Sequence, residues 1–411
     1  MTPLKKHIVL ITTWFPPIQG VAVNRMAAFA KYLDKTKFDI SVLTLRENDA
    51  IEQEEMFGCK VIRLANDRFL KLPKFNSTDK KIKHYLKVAW KLTLLKTQKD
   101  IYSSWRKNVI TELNQLHKIQ RIHLVISSFS PETAHVVACE FCEENSTVRW
   151  IADMRDEMSQ NPSISTSDKN KYLKIENRIN KLADAVTTIS QPHVQLFRET
   201  TMTNIRYVEE IRNGFDHDIV PTPNKFNDVF TIVYSGIFYG AHKPDIFFAA
   251  MEELEKENKL PSSWKIIFVG TSQSISIPER LKKNCEFVER VPQEKSVEYM
   301  MNADANLFMI PKLPRRGVYT GKLFDYLSVR KPIIAIVDKQ DVAAELILQL
   351  NAGFVASNDN VEEVKEAVLN IYDVWNKKQN MKMDDEGIAL LHSKFQVQKL
   401  NKLIEDLLNG N

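Results

Sequence analysis

The sequence predicts an α/β protein of two doubly wound parallel-sheet domains facing each other across a cleft. Short apolar runs recur along the chain, several apolar throughout, as expected of strands covered on both faces. Helical patterns such as 245–257 and 361–375 separate them, which is the alternation of a parallel α/β sheet. The alternation occurs in two series of similar length, and 411 residues are too many for one ordinary core.

Taken in order, the first series places strands at 7–12, 39–45, 61–64, 124–128, 150–154 and 185–189. The second places them at 230–235, 265–269, 285–290, 305–310, 333–337 and 353–356. Residues 216–229 carry two prolines, Pro221 and Pro223, and no clear periodicity, so the boundary is expected there. The domains are then 1–218 and 219–385, followed by a tail, 386–411, with an amphipathic helix over 397–408. Periodicity does not say on which domain that helix packs.

Composition excludes several classes. The chain is 44% hydrophobic and 27% charged, which is globular and not disordered. The apolar start is of strand length and is broken by Trp14 and the Pro16–Pro17 pair, so a signal peptide is not expected. No run of 18 apolar residues is present, so no spanning helix is expected. Four cysteines are too few for a disulfide framework, and reduced thiols in a cytoplasmic protein are the simpler reading.

In doubly wound sheets ligands bind beyond the carboxyl ends of the strands, so the loops there carry the candidates. After the first strand, Pro16 and Pro17 hold the chain extended, and Gly20 permits close backbone approach before a helix near Val21. Such a helix start suits phosphate or a polar acceptor; a plain βα turn is the competing reading. After the fourth strand, Ser130 and Pro131 read as cap and first residue of a helix. His135, Cys139 and Cys142 share one face of it. No second cluster completes a four-ligand set, so they read as packed and no metal is expected. Asp153, Arg155 and Asp156 end an apolar strand, as a polar wall for acceptor hydroxyls or as a structural ion-pair knot.

In the second half, Gly236 and Gly240 surround a strand-end turn, with Lys243 beyond it. Lys312, Arg315, Arg316 and Lys322 crowd one loop, and Gly321–Lys322 opens a helix. Cations and free N–H groups at a helix start are what a departing diphosphate needs. A solvated basic loop is the alternative. Asp325, one turn on, can accept hydrogen bonds from two vicinal hydroxyls, as on a ribose, or simply complement the helix dipole.

Together these stretches resemble the retaining glycosyltransferases of the GT-B fold, in the large family 4 type group. The matching stretches are WFPPIQG with Arg25, FSPETAH, WIADMRD, the TTIS strand end, IRNGFD, YSGIFYG, the FVG strand, and TGKLFDYLSVRKPII followed by NAGFV. Each is loose alone; their order over nearly the whole chain is specific. The resemblance implies two Rossmann-like domains, the first for the acceptor and the second for the nucleotide-sugar donor, with the last helix returning to the first. It implies donor contacts from Gly236, Lys243, Gly321, Lys322, Leu323 and Asp325, and acceptor contacts from Gly20, Arg25, Asp153, Arg155 and Asp156. Lys243 and Lys322 would hold the diphosphate without a metal or other cofactor, and His135 would stand near the reacting sugar. Asp325 would take the place of the second glutamate of a Glu-x7-Glu pattern, whose first falls at Gly317.

The expected activity is therefore sugar transfer from a nucleotide-sugar onto a glycan or lipid-linked acceptor of a bacterial surface polysaccharide: capsule, exopolysaccharide or lipopolysaccharide. A nucleotide-sugar epimerase of the same architecture would turn over donor alone. A non-catalytic nucleotide-sugar-binding subunit would bind a diphosphate and release none. Finally, residues 68–107 hold twelve Lys/Arg and two acids against a net charge of +5 for the whole chain. Interleaved aromatics, Trp90, Tyr102 and Trp105 among them, make this segment a candidate for peripheral contact with the inner membrane. A solvated helical hairpin is the alternative. No nucleic-acid signature accompanies the charge.

Overall fold

The computed structural model describes residues 5–18, 20–47, 50–66, 101–218, 226–238, 243–260, 263–271 and 275–410. The chain divides into two compact units. Unit 1 comprises Met1–Thr188, His193–Ile211 and Val397–Asn411; unit 2 comprises Ile189–Pro192 and Arg212–Gln396. The breaks thus fall at Ile211–Arg212 and Gln396–Val397, where the sequence suggested 218/219 and 385/386.

Unit 1 is built on an eight-stranded sheet of order β3-β4-β2-β1-β5-β6-β7-β8. Its strands are β1 (Lys6–Ile11), β2 (Phe38–Leu45), β3 (Gln53–Met56), β4 (Cys59–Leu64), β5 (Ile122–Ser128), β6 (Arg149–Arg155), β7 (Ala185–Thr188) and β8 (Tyr207–Glu210). All pairs are parallel except β3 with β4. Pleating sends alternate side chains of β1 to opposite faces. Val9 and Ile11 pack with the helices Ser103–Ile119 and Thr133–Glu144. Ile8 and Leu10 pack with Val21–Tyr32 and with Val397, Leu400, Leu403, Ile404 and Leu407 of the last helix, Ser393–Asn409.

Unit 2 repeats the design with six parallel strands of order β11-β10-β9-β12-β13-β14. These are β9 (Phe230–Ser235), β10 (Trp264–Val269), β11 (Cys285–Val288), β12 (Ala305–Met309), β13 (Ile333–Ile336) and β14 (Gly353–Ala356). Ile232 and Tyr234 face the helices Asp245–Lys256 and Val361–Asn376. Val233 faces Gly321–Ser328 and Val342–Gln349.

Every strand expected from the sequence is present. The two that were not expected, β3 and β8, are the outermost strands of the first sheet. Their sequences, QEEM and YVEE, bury little and carry no apolar run. The helix expected from Pro131 starts instead at Thr133, and its N-cap, Glu132, makes no side-chain bond. The preceding turn is tied to β6: Phe129 N–H donates to the Asp153 carbonyl at 3.0 Å, and Arg155 donates to the Phe129 carbonyl at 2.8 Å.

Most of the basic segment, 68–100, lies outside the described residues, with Lys80, Lys81, Lys83 and Lys87; so does Gly240. Of its described end, Trp105 is fully buried in the unit 1 core, so it is not free to meet lipid. Among the described residues no helix is long and apolar enough to cross a membrane.

Candidate functional site

In each sheet the chain starts at an inner strand, builds to one side, then crosses to the other. The switch falls between β1 and β5 in unit 1 and between β9 and β12 in unit 2. The loops leaving two such strands diverge and leave a crevice at their carboxyl ends.

In unit 2 this crevice joins Gly236, just past β9, to Lys322, in the first turn of the helix after β12. A methyl group on Gly236 would stand 1.6 Å from Lys322 Nζ and would push the ammonium aside, and its φ of +139° favours glycine. The turn is braced on all sides. Gly236 N–H donates to the Val269 carbonyl at 2.8 Å, and the Thr271 hydroxyl donates to the Gly236 carbonyl. Ser235 N–H donates to the Tyr326 hydroxyl at 2.8 Å, which locks the helix Gly321–Ser328 onto the end of β9.

Lys322 has no carboxylate partner among the described residues. Its Nζ lies 3.5 Å from the Tyr234 hydroxyl and 5.1 Å from the centre of that ring. Burial lowers its pKa to about 8. Beside it, the N-cap Thr320 makes no side-chain cap bond, and its buried hydroxyl has no partner among the described residues. A desolvated cation, an idle hydroxyl and the N–H groups of a helix start are what an anion site requires.

Asp325 lies on the same helix. Gln293 Nε2 is 3.4 and 3.5 Å from its two oxygens, and His217 Nε2 is 4.0 Å away. Burial pushes its pKa up to about 7, against a small downward pull from Gln293. Gly317 sits at φ +93° with its N–H 2.7 Å from Asp341 Oδ1, which also caps the helix Val342–Gln349. A glutamate there would meet backbone strain. Leu323 does not face the site: its side chain is fully buried in the core, and its N–H donates to the Thr320 carbonyl at 3.2 Å. Lys243 is exposed, two residues before the helix Asp245–Lys256. Tyr234, Gln293, His217 and Thr320 were missed in the sequence reading. Only Thr320, just ahead of Gly321–Lys322, carried a signal, as a cap-type residue at a helix start.

In unit 1 the expected acceptor residues separate into two sets. Arg25 and Asp153 are buried and bind each other (Nη2 to Oδ1 2.6 Å, Nε to Oδ2 3.0 Å). Arg25 also donates to the Ile211 carbonyl at 2.7 Å, and Ser128 and Thr187 donate to Asp153, each at 2.8 Å. Burial drives the Asp153 carboxyl upward, but the Arg25 guanidinium and the two hydroxyls outweigh it and hold it below the ordinary range. This pair is the ion-pair knot, not an acceptor wall. It clamps the exits of β5, β6 and β7 to the helix Val21–Tyr32. Arg155, at φ +57°, Asp156 and Gly20 remain at that edge, and nothing lies within 4 Å of a methyl built on Gly20.

His135 is also fully buried. Its Nδ1 is 2.7 Å from the Ser127 hydroxyl, which also accepts from Trp150 Nε1 at 2.8 Å. Phe129 stacks on the ring with centroids 6.4 Å apart, and burial lowers its pKa to about 4. It is a neutral core histidine and is not presented to a substrate. Cys139 and Cys142 are buried beside it, and burial pushes the Cys139 thiol up to about 12. Among the described residues no three His, Cys, Asp or Glu side chains gather to hold a metal.

Residues 229–373, most of unit 2, match the family model for glycosyl transferases group 1. No curated protein matches the chain in sequence. Among solved structures, the fold resembles a sucrose-phosphate synthase from Thermosynechococcus elongatus at a TM-score of 0.65 and 13% identity, covering 99% of this chain and 100% of that one. It also resembles a trehalose-6-phosphate protein from E. coli bound with UDP-2-fluoro glucose, at 0.61 and 11%, covering 98% and 99%. A lipopolysaccharide outer core galactosyltransferase in its apo form follows at 0.57 and 10%, covering 97% and 99%. At such identities these likenesses show the fold, which is GT-B: two Rossmann-like domains with parallel sheets. With the group 1 match over unit 2, the chain is a glycosyltransferase.

Proposed function

We propose that the chain transfers a sugar from a nucleoside diphosphate sugar to a glycan or lipid-linked glycan acceptor in bacterial surface-polysaccharide synthesis. It retains the anomeric configuration and needs no metal at the phosphates. The observation that carries the donor reading is Lys322, a desolvated ammonium at a helix start, pressed against a glycine and without a carboxylate partner among the described residues. A diphosphate seated there restores the charge interactions that burial removed, and its charge grows as the sugar leaves. The C1–O bond to the diphosphate breaks, the acceptor oxygen bonds to C1 on the same face, and the acceptor proton passes to a departing phosphate oxygen. Lys243 adds a second cation, and Asp325 takes two ribose hydroxyls. In support, a structure of the same fold holds a UDP-sugar analogue. The surface-glycan acceptor rests on the order of the sequence motifs, and Gly20, Arg155 and Asp156 are its candidate contacts.

The test is thermal unfolding with UDP, GDP, dTDP or ADP, with and without EDTA. A ligand at 100 times its dissociation constant stabilises the native state by about 2.7 kcal/mol. One diphosphate is expected to raise the melting temperature in EDTA, and Gly236→Ala, whose methyl displaces Lys322, to abolish the effect. If none of the four stabilises the protein, the donor site is wrongly assigned.

A further inference from the structure

Sugar transfer leaves the opposite edge of the unit 1 sheet unexplained. There β1, β5 and β6, adjacent in the sheet, begin at Lys6, Ile122 and Arg149. With the last turn of the helix Ser393–Asn409, they border a groove of about 340 Å³ lined by Lys6, Arg121, His123, Thr147 and Arg149. Among the described residues no carboxylate lines it. Among the described residues neither the Lys6 ammonium nor the Arg121 guanidinium has an acidic partner. Arg149 gives one nitrogen to Asp184 at 2.8 Å.

His123 completes the set. Its Nδ1 accepts the His7 N–H at 3.0 Å, so in the neutral ring the proton sits on Nε2. Burial, then the charges of Lys6, Arg121 and His7, hold its pKa below the ordinary value, against a small upward pull from the Arg121 backbone. Donors and cations gather here, and among the described residues the Arg149–Asp184 pair is the one ion pair that offsets their repulsion. A tetrahedral anion relieves that repulsion: it neutralises the two unpaired cations and leaves an oxygen for the imidazole.

We propose that this groove is an anion site for a phosphate group, held by Lys6, Arg121 and His123 Nε2–H, with Arg149 at the rim. Free phosphate and a phosphomonoester lipid headgroup share this chemistry.

The experiment is an NMR titration of the full chain with inorganic phosphate at pH 7, reading the His123 ring. A saturable shift is expected, together with a rise in the His123 pKa. Lys6 and Arg121 are exposed, so Lys6→Ala and Arg121→Ala leave the fold intact; each should weaken binding about ten- to a hundredfold. Lys322→Ala should leave it unchanged. No saturable shift overturns the proposal, as does a shift that survives Arg121→Ala. A shift lost in Lys322→Ala places the phosphate in the donor crevice and overturns it equally. Co-sedimentation with phosphatidate vesicles, but not with phosphatidylcholine, identifies a lipid source if phosphate competes and Arg121→Ala abolishes it. Without co-sedimentation, free phosphate is the source.

Discussion

Replacing Lys322 by methionine should make the free protein more stable while destroying its affinity for a diphosphate. Burial takes the ammonium from an ordinary pKa of 10.5 to about 8, a penalty on the charged form of about 3 kcal/mol. The side chain is not sealed from water, so roughly 2–3 kcal/mol is the expected gain at pH 7. For a unit of this size that is about 4–12 °C in melting temperature. The sign follows from proton linkage: between about 8 and 10.5 the unfolded chain holds a proton that the folded one has released. The penalty is therefore complete below pH 8 and fades as pH rises through that window. Calorimetry of wild type and Lys322→Met at pH 7 and pH 10 should show a gap that narrows at the higher pH. A variant that melts at or below wild type at pH 7, or a gap that persists at pH 10, would refute the account of Lys322 as a desolvated cation awaiting an anion.

Two further substitutions probe the buried charges. Asp325→Asn should stabilise unit 2 by about 2–4 kcal/mol at pH 8, because the folded carboxyl, with its pKa pushed up to about 7, is charged there at a cost. The gain should shrink as pH falls from 7 towards 4, and a pH-independent effect in denaturant titrations would contradict this. Arg25→Met leaves Asp153 buried without its cation and should cost unit 1 about 3–5 kcal/mol. Arg25→Met with Asp153→Leu should recover much of that loss in urea unfolding; a harmless single variant would mean the pair is not structural.

The strands were legible because parallel strands buried on both faces are written as unbroken apolar runs. β3 and β8 escaped because an outermost strand needs no such run. In the crevice of unit 2, Gly236 and Lys322 were each visible from local signals: a strand-end glycine, and a Gly–Lys helix start. That the ammonium of one occupies the side-chain space of the other was not visible. Their contact depends on β12 returning beside β9, a crossover that local sequence does not encode. Arg25 and Asp153 show the converse. Their charge drew attention, but the partner that consumes each charge lies far along the chain, so the sequence left a buried knot and an open wall as alternatives. For His135 the helical spacing, which read as packed, agrees with its burial, and the place near the sugar that the resemblance implied does not.

The division of the chain has a consequence for synthesis. Unit 1 takes its closing layer, Val397, Leu400, Leu403, Ile404 and Leu407, from beyond the whole of unit 2. On a ribosome adding about 5–20 residues per second, the apolar face of its sheet waits roughly ten to forty seconds after Ile211 emerges. The later-made unit is contiguous enough to finish first. Maturation therefore runs against the order of translation, and the nascent first unit is a client for any chaperone that shields apolar surface. A fragment ending at Ile211 should aggregate unless the last helix is supplied in trans.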